Sequence, residues 1–252
     1  MSTFLLMAKA GGSGEAAENT REAIRRVVEL RSPPGIEVGL EIDLRRTADG
    51  RFVALHDARL ERTTNGRGLV REHPVHALCR LKAGPRGERV PSLPEVLEAA
   101  ADRPLLLEIH DDELAAAGAI CRDLAGLPPR RRQQLWVASE HTRVVDAVRR
   151  LDPTLRTAAT KHEAWTKLLL GWAGLARFAA RGHVWVVPER HAGLHIVTPR
   201  FIAEARAAGD PVWAFVVDDA GTLERLRRWG VEGCVTTRPA QLVSALGAHA
   251  RP

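Results

Sequence analysis

The amino-acid sequence predicts an α/β protein built as a closed (β/α)8 TIM barrel, and three observations carry that expectation. Short apolar runs of strand length alternate with amphipathic stretches of helix length along almost the whole chain. About eight such runs can be counted, which favours a closed barrel over an open doubly wound sheet. A chain of 252 residues suits one barrel, since such folds typically take about 250 residues. A single domain over residues 1–252 follows, with no linker and no internal repeat beyond the βα unit.

Each element has a local reason. Thr3 to Ala8 is a short apolar run that reads as a first buried strand, and Lys9 to Gly14 is a glycine-rich turn at its end. Asn19 or Thr20 caps a helix carrying Ala23, Ile24, Val27, Val28 and Leu30 on its apolar side, which Ser32-Pro33-Pro34-Gly35 ends. Leu40 to Asp57 reads as strand, turn at Ala48-Asp49-Gly50, and second strand. An irregular region rich in Arg and Gly fills Ala58 to Val90. Ser92 to Ala101 is a helix opened by a capping box of Ser92 and Glu95.

Pro104 to His110 is an apolar strand, and Asp111 or Asp112 caps the helix that runs to about Leu124. Further strands are expected at Gln134 to Ser139, Leu155 to Thr160, Val184 to Val187, Val212 to Val217 and Gly233 to Thr236. Helices are expected between them at Thr142 to Leu151, Trp165 to Arg181, Pro199 to Ala208 and Thr222 to Trp229. The segment from Trp165 to Phe178 has a wide apolar face, which suits either a helix packed on its sheet or a face that meets lipid, a partner subunit or a hydrophobic substrate tail.

Composition narrows the setting. The net charge of +6 comes almost wholly from Arg, apparently scattered along helices, and would steer anionic ligands. No Lys/Arg run has interleaved aromatics, so nucleic-acid binding is not expected. Three widely spaced cysteines form neither a disulfide framework nor a zinc spacing, and reduced thiols are the default. No run approaches the ~20 apolar residues of a membrane span, and the apolar run Phe4 to Ala8 is too short for a signal peptide. A cytoplasmic enzyme is expected, with membrane contact limited to the periphery and no indication of oligomeric state.

Two acids and one histidine stand out near strand ends. Glu41 and Asp43 are two residues apart, so on an extended strand both side chains leave one face. A carboxylate pair with no Cys nearby offers hard oxygen ligands, suited to Mg²⁺ or Ca²⁺, with Mn²⁺ a third candidate. An acidic, solvent-facing strand edge is the alternative. His56-Asp57 ends the next strand, and Arg62-Thr63-Thr64-Asn65-Gly66 follows.

These residues carry a resemblance. ENT at Glu18 to Thr20, ExD at Glu41 and Asp43, DG at Asp49-Gly50, HD at His56-Asp57, RTTNGRG at Arg62 to Gly68, PSLPEVL at Pro91 to Leu97, LLLEIH at Leu105 to His110 and GVEGCVTTRP at Gly230 to Pro239 occur in the order seen in the glycerophosphodiester phosphodiesterase family. The chain therefore resembles that family, which implies a barrel of the phospholipase C-like phosphodiesterase type with a small insertion at about residues 58–90. It implies that Glu41, Asp43 and Glu108 hold one divalent ion and that His56 is one of two proton-transfer histidines. The implied reaction is metal-dependent cleavage of a glycerophosphodiester-like substrate in lipid metabolism, with a cyclic phosphate as intermediate where a hydroxyl lies adjacent.

The sequence departs from the family pattern at the second histidine. Lys9 stands where the HRG motif begins, Ala10 replaces the following arginine, Ala17 stands where a proline precedes ENT, and His110 stands where a lysine usually follows the third ligand. Three readings remain open. Lys9 and His110 have exchanged roles within a working phosphodiesterase; or the cage serves a lyase, isomerase or cyclase step on another substrate; or the protein is a non-catalytic binder. Arg62, Glu18, Trp213 and Phe215 complete the candidate substrate-binding set, with turn, helix-terminus and core roles as their ordinary alternatives. Asp218 falls where an asparagine is common.

Overall fold

The computed structural model describes residues 3–172 and 184–249. Eight parallel strands line the barrel: β1 (Phe4–Ala8), β2 (Ile36–Arg46), β3 (Leu105–Ile109), β4 (Leu135–Ala138), β5 (Arg156–Thr157), β6 (Trp185–Pro188), β7 (Val212–Phe215) and β8 (Gly233–Thr236). They pair in the order β5-β4-β3-β2-β1-β8-β7-β6. A parallel bridge between Ala158 and Val184 joins the two ends and closes the ring. Among the described residues, this closure pairs both ends of the eight-stranded sheet.

One helix follows each strand: α1 (Arg21–Glu29), α2 (Leu93–Ala99), α3 (Leu114–Ala125), α4 (Thr142–Leu151), α5 (Lys161–Trp172), α6 (Pro199–Ala207), α7 (Ala220–Trp229) and α8 (Pro239–His249). The main core lies between the outer faces of the strands and these helices, from Ile24 and Val38 round to Leu223 and Cys234. A second cluster fills the barrel itself, with Met7, Leu106, Trp136, Val184, Trp213 and Val235 pointing inward. Gly39 makes room there, since a Cβ on it would sit 2.6 Å from the Met7 sulfur.

Several local expectations are met. Glu95 accepts hydrogen bonds from the Ser92 backbone N–H and hydroxyl, closing the capping box. Thr20, not Asn19, caps α1, accepting from the Ala23 N–H. Two expectations are corrected. The cap of α3 is Glu113 rather than Asp111 or Asp112, because Asp111 accepts from the Arg46 N–H and Asp112 pairs with Arg143. Helix α5 begins at Lys161, four residues before Trp165, where Glu163 accepts from the Thr160 N–H. Of the apolar face read at Trp165 to Phe178, Trp165 is half-buried against the core and Leu169 is exposed. Leu175 and Phe178, and the side chains of Leu168 and Trp172, lie outside the described residues.

The segment 58–90 is more ordered than its composition suggests. It contains the short helix Val75–Leu78 and the antiparallel ribbon of Lys82–Ala83 with Glu88–Arg89. Leu60, Val70, Leu78 and Val90 pack on Val53 and Leu55 in a core of their own. It holds eight Arg or Lys and three Glu, a net +5 against +6 for the whole chain. The positive charge is therefore concentrated here, not spread evenly over the helices.

Trp213 sits one layer below the barrel mouth, 1% exposed, edge-on to Trp136 with ring centroids 4.9 Å apart. Its role is packing, which corrects its place in the substrate-binding set. Truncating a buried tryptophan removes apolar burial and leaves a cavity, so Trp213→Ala is expected to lower unfolding stability by roughly 3–5 kcal/mol. Urea denaturation checks this: a loss under about 1 kcal/mol is the range of a tolerated hydrophobic swap and would deny the residue a packing role.

Candidate active site

The site forms where the barrel strands end, because only there does the inward face meet solvent. On β2 the two-residue period turns Gly39, Glu41 and Asp43 inward in succession. Parallel pairing of Asp43 with Glu108 on β3 sets the third carboxylate beside them. Ligand oxygens of Glu41, Asp43 and Glu108 all lie within 4.8 Å of one another. Glu41 and Asp43 are buried, at 2% and 1% exposure, and Glu108 is half-buried.

The loop after β1 folds over this cage. Ala10 takes a left-handed conformation (φ 47°), which aims its N–H at Glu41 Oε2 over 2.7 Å. Asn19, also left-handed (φ 58°), donates its Nδ2–H to Asp43 Oδ2 at 2.8 Å and accepts from the Asp43 N–H at 3.1 Å. Asn19 thus orients a carboxylate rather than capping α1. Lys9 Nζ stands 3.9 Å from Glu41 Oε2.

Two imidazoles complete the site. His110 Nε2 contacts Asp43 Oδ1 at 2.7 Å, and His56 Nδ1 contacts Asp57 Oδ1 at 2.8 Å. Their ring centroids are 4.6 Å apart. Arg62 grips both Asp57 oxygens and both Glu18 oxygens. Arg62 and Glu18 thus brace Asp57 and through it His56, from beside the cavity. Phe215 does line it.

Arg45 is the residue that sequence reasoning missed. Its Nε–H donates to the His56 carbonyl at 2.8 Å and its Nη1–H to the His110 carbonyl at 2.7 Å, so one guanidinium ties together the backbones of both histidines. The signal was the same alternation that marks Glu41 and Asp43, carried one step further along β2.

The cavity has a volume of about 370 Å³. Lys9, Glu41, His56, Glu108 and His110 form one side, and the other is mainly apolar, with Ala159, Trp165, Val187, Ile196 and Phe215.

Charge is unevenly shared. Burial pushes the Glu41 carboxyl well above the usual carboxylate range, and repulsion from Asp43 and Glu108 adds to this against the pull of Lys9. Asp43 moves the other way: burial opposes its charge, but His110, Lys9 and Asn19 outweigh burial and hold it at about 2. Burial likewise works against the charge on Lys9, yet Glu41, Asp43, Glu108 and Glu18 together raise its pKa above the ordinary lysine value. Arg62 holds Asp57 well below the usual range despite partial burial, with help from His56.

A divalent ion fits this donor set. Glu41 Oε1 is buried without a hydrogen-bond partner, and the Glu108 carboxylate has no hydrogen bond or ion pair to a described residue. Three carboxylates face one ammonium at close range, and an orphaned buried oxygen is unfavourable unless a cation meets it. Oxygen donors alone favour a hard cation.

Known proteins point the same way. The sequence model of the glycerophosphoryl diester phosphodiesterase family matches residues 10–241. A glycerophosphodiester phosphodiesterase of Caldanaerobacter subterraneus subsp. tengcongensis is 27% identical over 250 residues, covering 95% of this chain and 96% of that one. A phosphodiesterase of Oleispira antarctica, solved with its product sn-glycerol-3-phosphate, superposes with a TM-score of 0.76 over 96% of both chains at 24% identity. The glycerophosphoryl diester phosphodiesterase domain of a Mycobacterium tuberculosis protein gives a TM-score of 0.81 at 16% identity, over 98% of this chain and 100% of that one. With the barrel closed and the ordered motifs matched along almost its whole length, the chain belongs to the glycerophosphoryl diester phosphodiesterase family of phosphoric diester hydrolases.

Proposed function

We propose that this protein is a metal-dependent phosphodiesterase acting on a glycerophosphodiester-like substrate, with His56 and His110 as the proton-transfer pair and Lys9 as a cationic phosphate contact. The observation that carries the reading is the placing of two imidazoles 4.6 Å apart beside the carboxylate cage, on one cavity. Glu41, Asp43 and Glu108 would hold one divalent ion, Mg²⁺ or Ca²⁺ by donor type, and when bound it supplies Lewis-acid polarisation of a phosphoryl oxygen and charge neutralisation.

The chain's own residues divide the remaining work. Lys9 stays charged beside three carboxylates, so it suits anion binding better than proton transfer at neutral pH. His56 is held through Nδ1 by Asp57, which leaves Nε2 free to take or give a proton. His110, anchored through Nε2 by Asp43, would take over the task of the missing partner. In the proposed step one imidazole takes the proton of the attacking hydroxyl, either water or a neighbouring hydroxyl of the substrate. That oxygen bonds to phosphorus, the phosphorus–oxygen bond to the leaving alcohol breaks, and the other imidazole protonates the alcohol. Attack by a neighbouring hydroxyl gives a cyclic phosphate, which water then opens.

The mechanism is tested by phosphorus NMR of the products from a glycerophosphodiester. His56→Ala and His110→Ala are each expected to lower kcat by 10²- to 10⁴-fold, the usual range for removing a general acid or base. Lys9→Ala is expected to act mainly on KM. Turnover by His110→Ala at the wild-type rate would refute the exchange of roles.

The cage predicts a pH signature as well. A carboxyl whose pKa is raised on folding adds stability below its ordinary value of 4.5 and loses that contribution as pH rises through the folded value. In EDTA, Glu41→Gln is therefore expected to melt higher than the wild type at about pH 8, with the gap narrowing towards about pH 5. Added Mg²⁺ or Ca²⁺ should raise the melting point of the wild type and leave Glu41→Gln almost unmoved, because only the intact cage binds the ion. An equal metal response in both proteins would count against Glu41 as a ligand.

A further inference from the structure

We infer that the basic insertion is a docking surface for an anionic lipid bilayer, and that it brings the mouth of the barrel to the membrane. Arg67, Arg71, Arg80, Lys82 and Arg89 are all exposed, and none forms an ion pair within 4.0 Å with a described residue. What sets the insertion apart is its charge balance, with eight Arg or Lys against three Glu, whereas the rest of the chain is nearly neutral. Lys82 and Arg89 are direct partners across the ribbon. Like charges in that position repel, and an external anion would relieve that repulsion.

Position supports the assignment. The insertion follows the strand Phe52–Ala54, which folds back antiparallel on the C-terminal end of β2, and its ribbon meets the loop after β1 at Gly84 and Ala17. Glu88 accepts from the Glu22 N–H at the start of α1, and Arg62 reaches Glu18 and Asp57 beside His56. Three of the exposed large apolar side chains lie at this same end, in connections that leave strand C-termini: Leu114 at 56%, Leu194 at 45% and Val216 at 43% exposure. The acids preceding Leu114 do not oppose an anionic surface, because Asp112 and Glu113 are paired with Arg143 and Arg46. Cationic charge together with apolar contacts at one end is the combination that holds a protein reversibly at a lipid interface.

A bilayer fits better than nucleic acid. The insertion contains no Phe, Trp or Tyr, so it offers no platform on which bases can stack. Its α-helix, Val75–Leu78, and its 3-10 helix, Val70–Glu72, are single turns, too short to read a groove. A headgroup layer asks for no such features, only for positive charge within a Debye length of the surface.

The test is co-sedimentation of the full chain with vesicles of phosphatidylcholine alone or mixed equally with phosphatidylglycerol, at low and at molar salt. Binding is expected to the anionic vesicles only and to be lost at molar salt. Near the surface each Lys or Arg contributes about fivefold, so the variant carrying Arg80→Ser, Lys82→Ser and Arg89→Ser should bind about a hundredfold more weakly. Its thermal unfolding should match the wild type, which establishes that the fold survives independently of any catalytic reading. The double variant Arg67→Ser, Arg71→Ser supplies a second measurement, with a drop of about twenty-five-fold by the same rule. Equal binding to neutral and anionic vesicles, or wild-type binding by both variants, would overturn the proposal. So would release from anionic vesicles by duplex DNA at matched phosphate concentration, which would assign the surface to nucleic acid.

Discussion

Three carboxylates crowd round one ammonium at the head of the cavity, and most of the surrounding structure answers to that constraint. The energy of isolated charge in such a place is strongly unfavourable, so each oxygen is met by a donor or left facing the cavity. The loop after β1 bends into left-handed backbone at Ala10 and Asn19 to supply two of those donors. Asn tolerates that conformation and Ala does so less readily, which places backbone strain beside the chemistry, a common position for it. Glu41 Oε1 remains without a partner. The cage is thus incomplete as protein alone, and its geometry makes sense as a receptacle for a cation.

The two histidines are held by different means. His56 belongs to a chain running through Asp57 and Arg62 to Glu18, all reached from the rim. His110 is anchored directly on a cage oxygen. Arg45, near the C-terminal end of β2, joins the two backbones. On the proposed reading proton transfer and charge neutralisation are separate tasks, with imidazole and ammonium in exchanged positions on one cavity.

Much of this was legible in the sequence because it rests on short periods. Alternation on β2 exposed Glu41 and Asp43, and βα alternation gave the closed barrel, including Ser92 with Glu95 at the head of α2. Depth inside the barrel was not legible. Trp213 and Phe215 are equivalent in pattern, both inward on β7, but two residues are about 6.6 Å along a strand, enough to put one in the core and the other on the cavity. Arg62 and Glu18 read as substrate contacts because both belong to motif positions, whereas their mutual ion pair spans 44 residues and has no local signature. The concentration of charge in residues 58–90 was present in the composition but hidden by counting arginine over the whole chain.

One contact joins the two unusual parts of the molecule. Gly84, at the turn of the basic ribbon, has φ +65°, and a Cβ there would lie 2.5 Å from the Cβ of Ala17 in the loop that carries Lys9. Ala17 is itself a departure from the family, which has proline at this position. Any side chain at 84 collides with that loop. The loop bearing Lys9 and the charged ribbon are therefore sterically interlocked, so a change of shape in one is transmitted to the other at this contact.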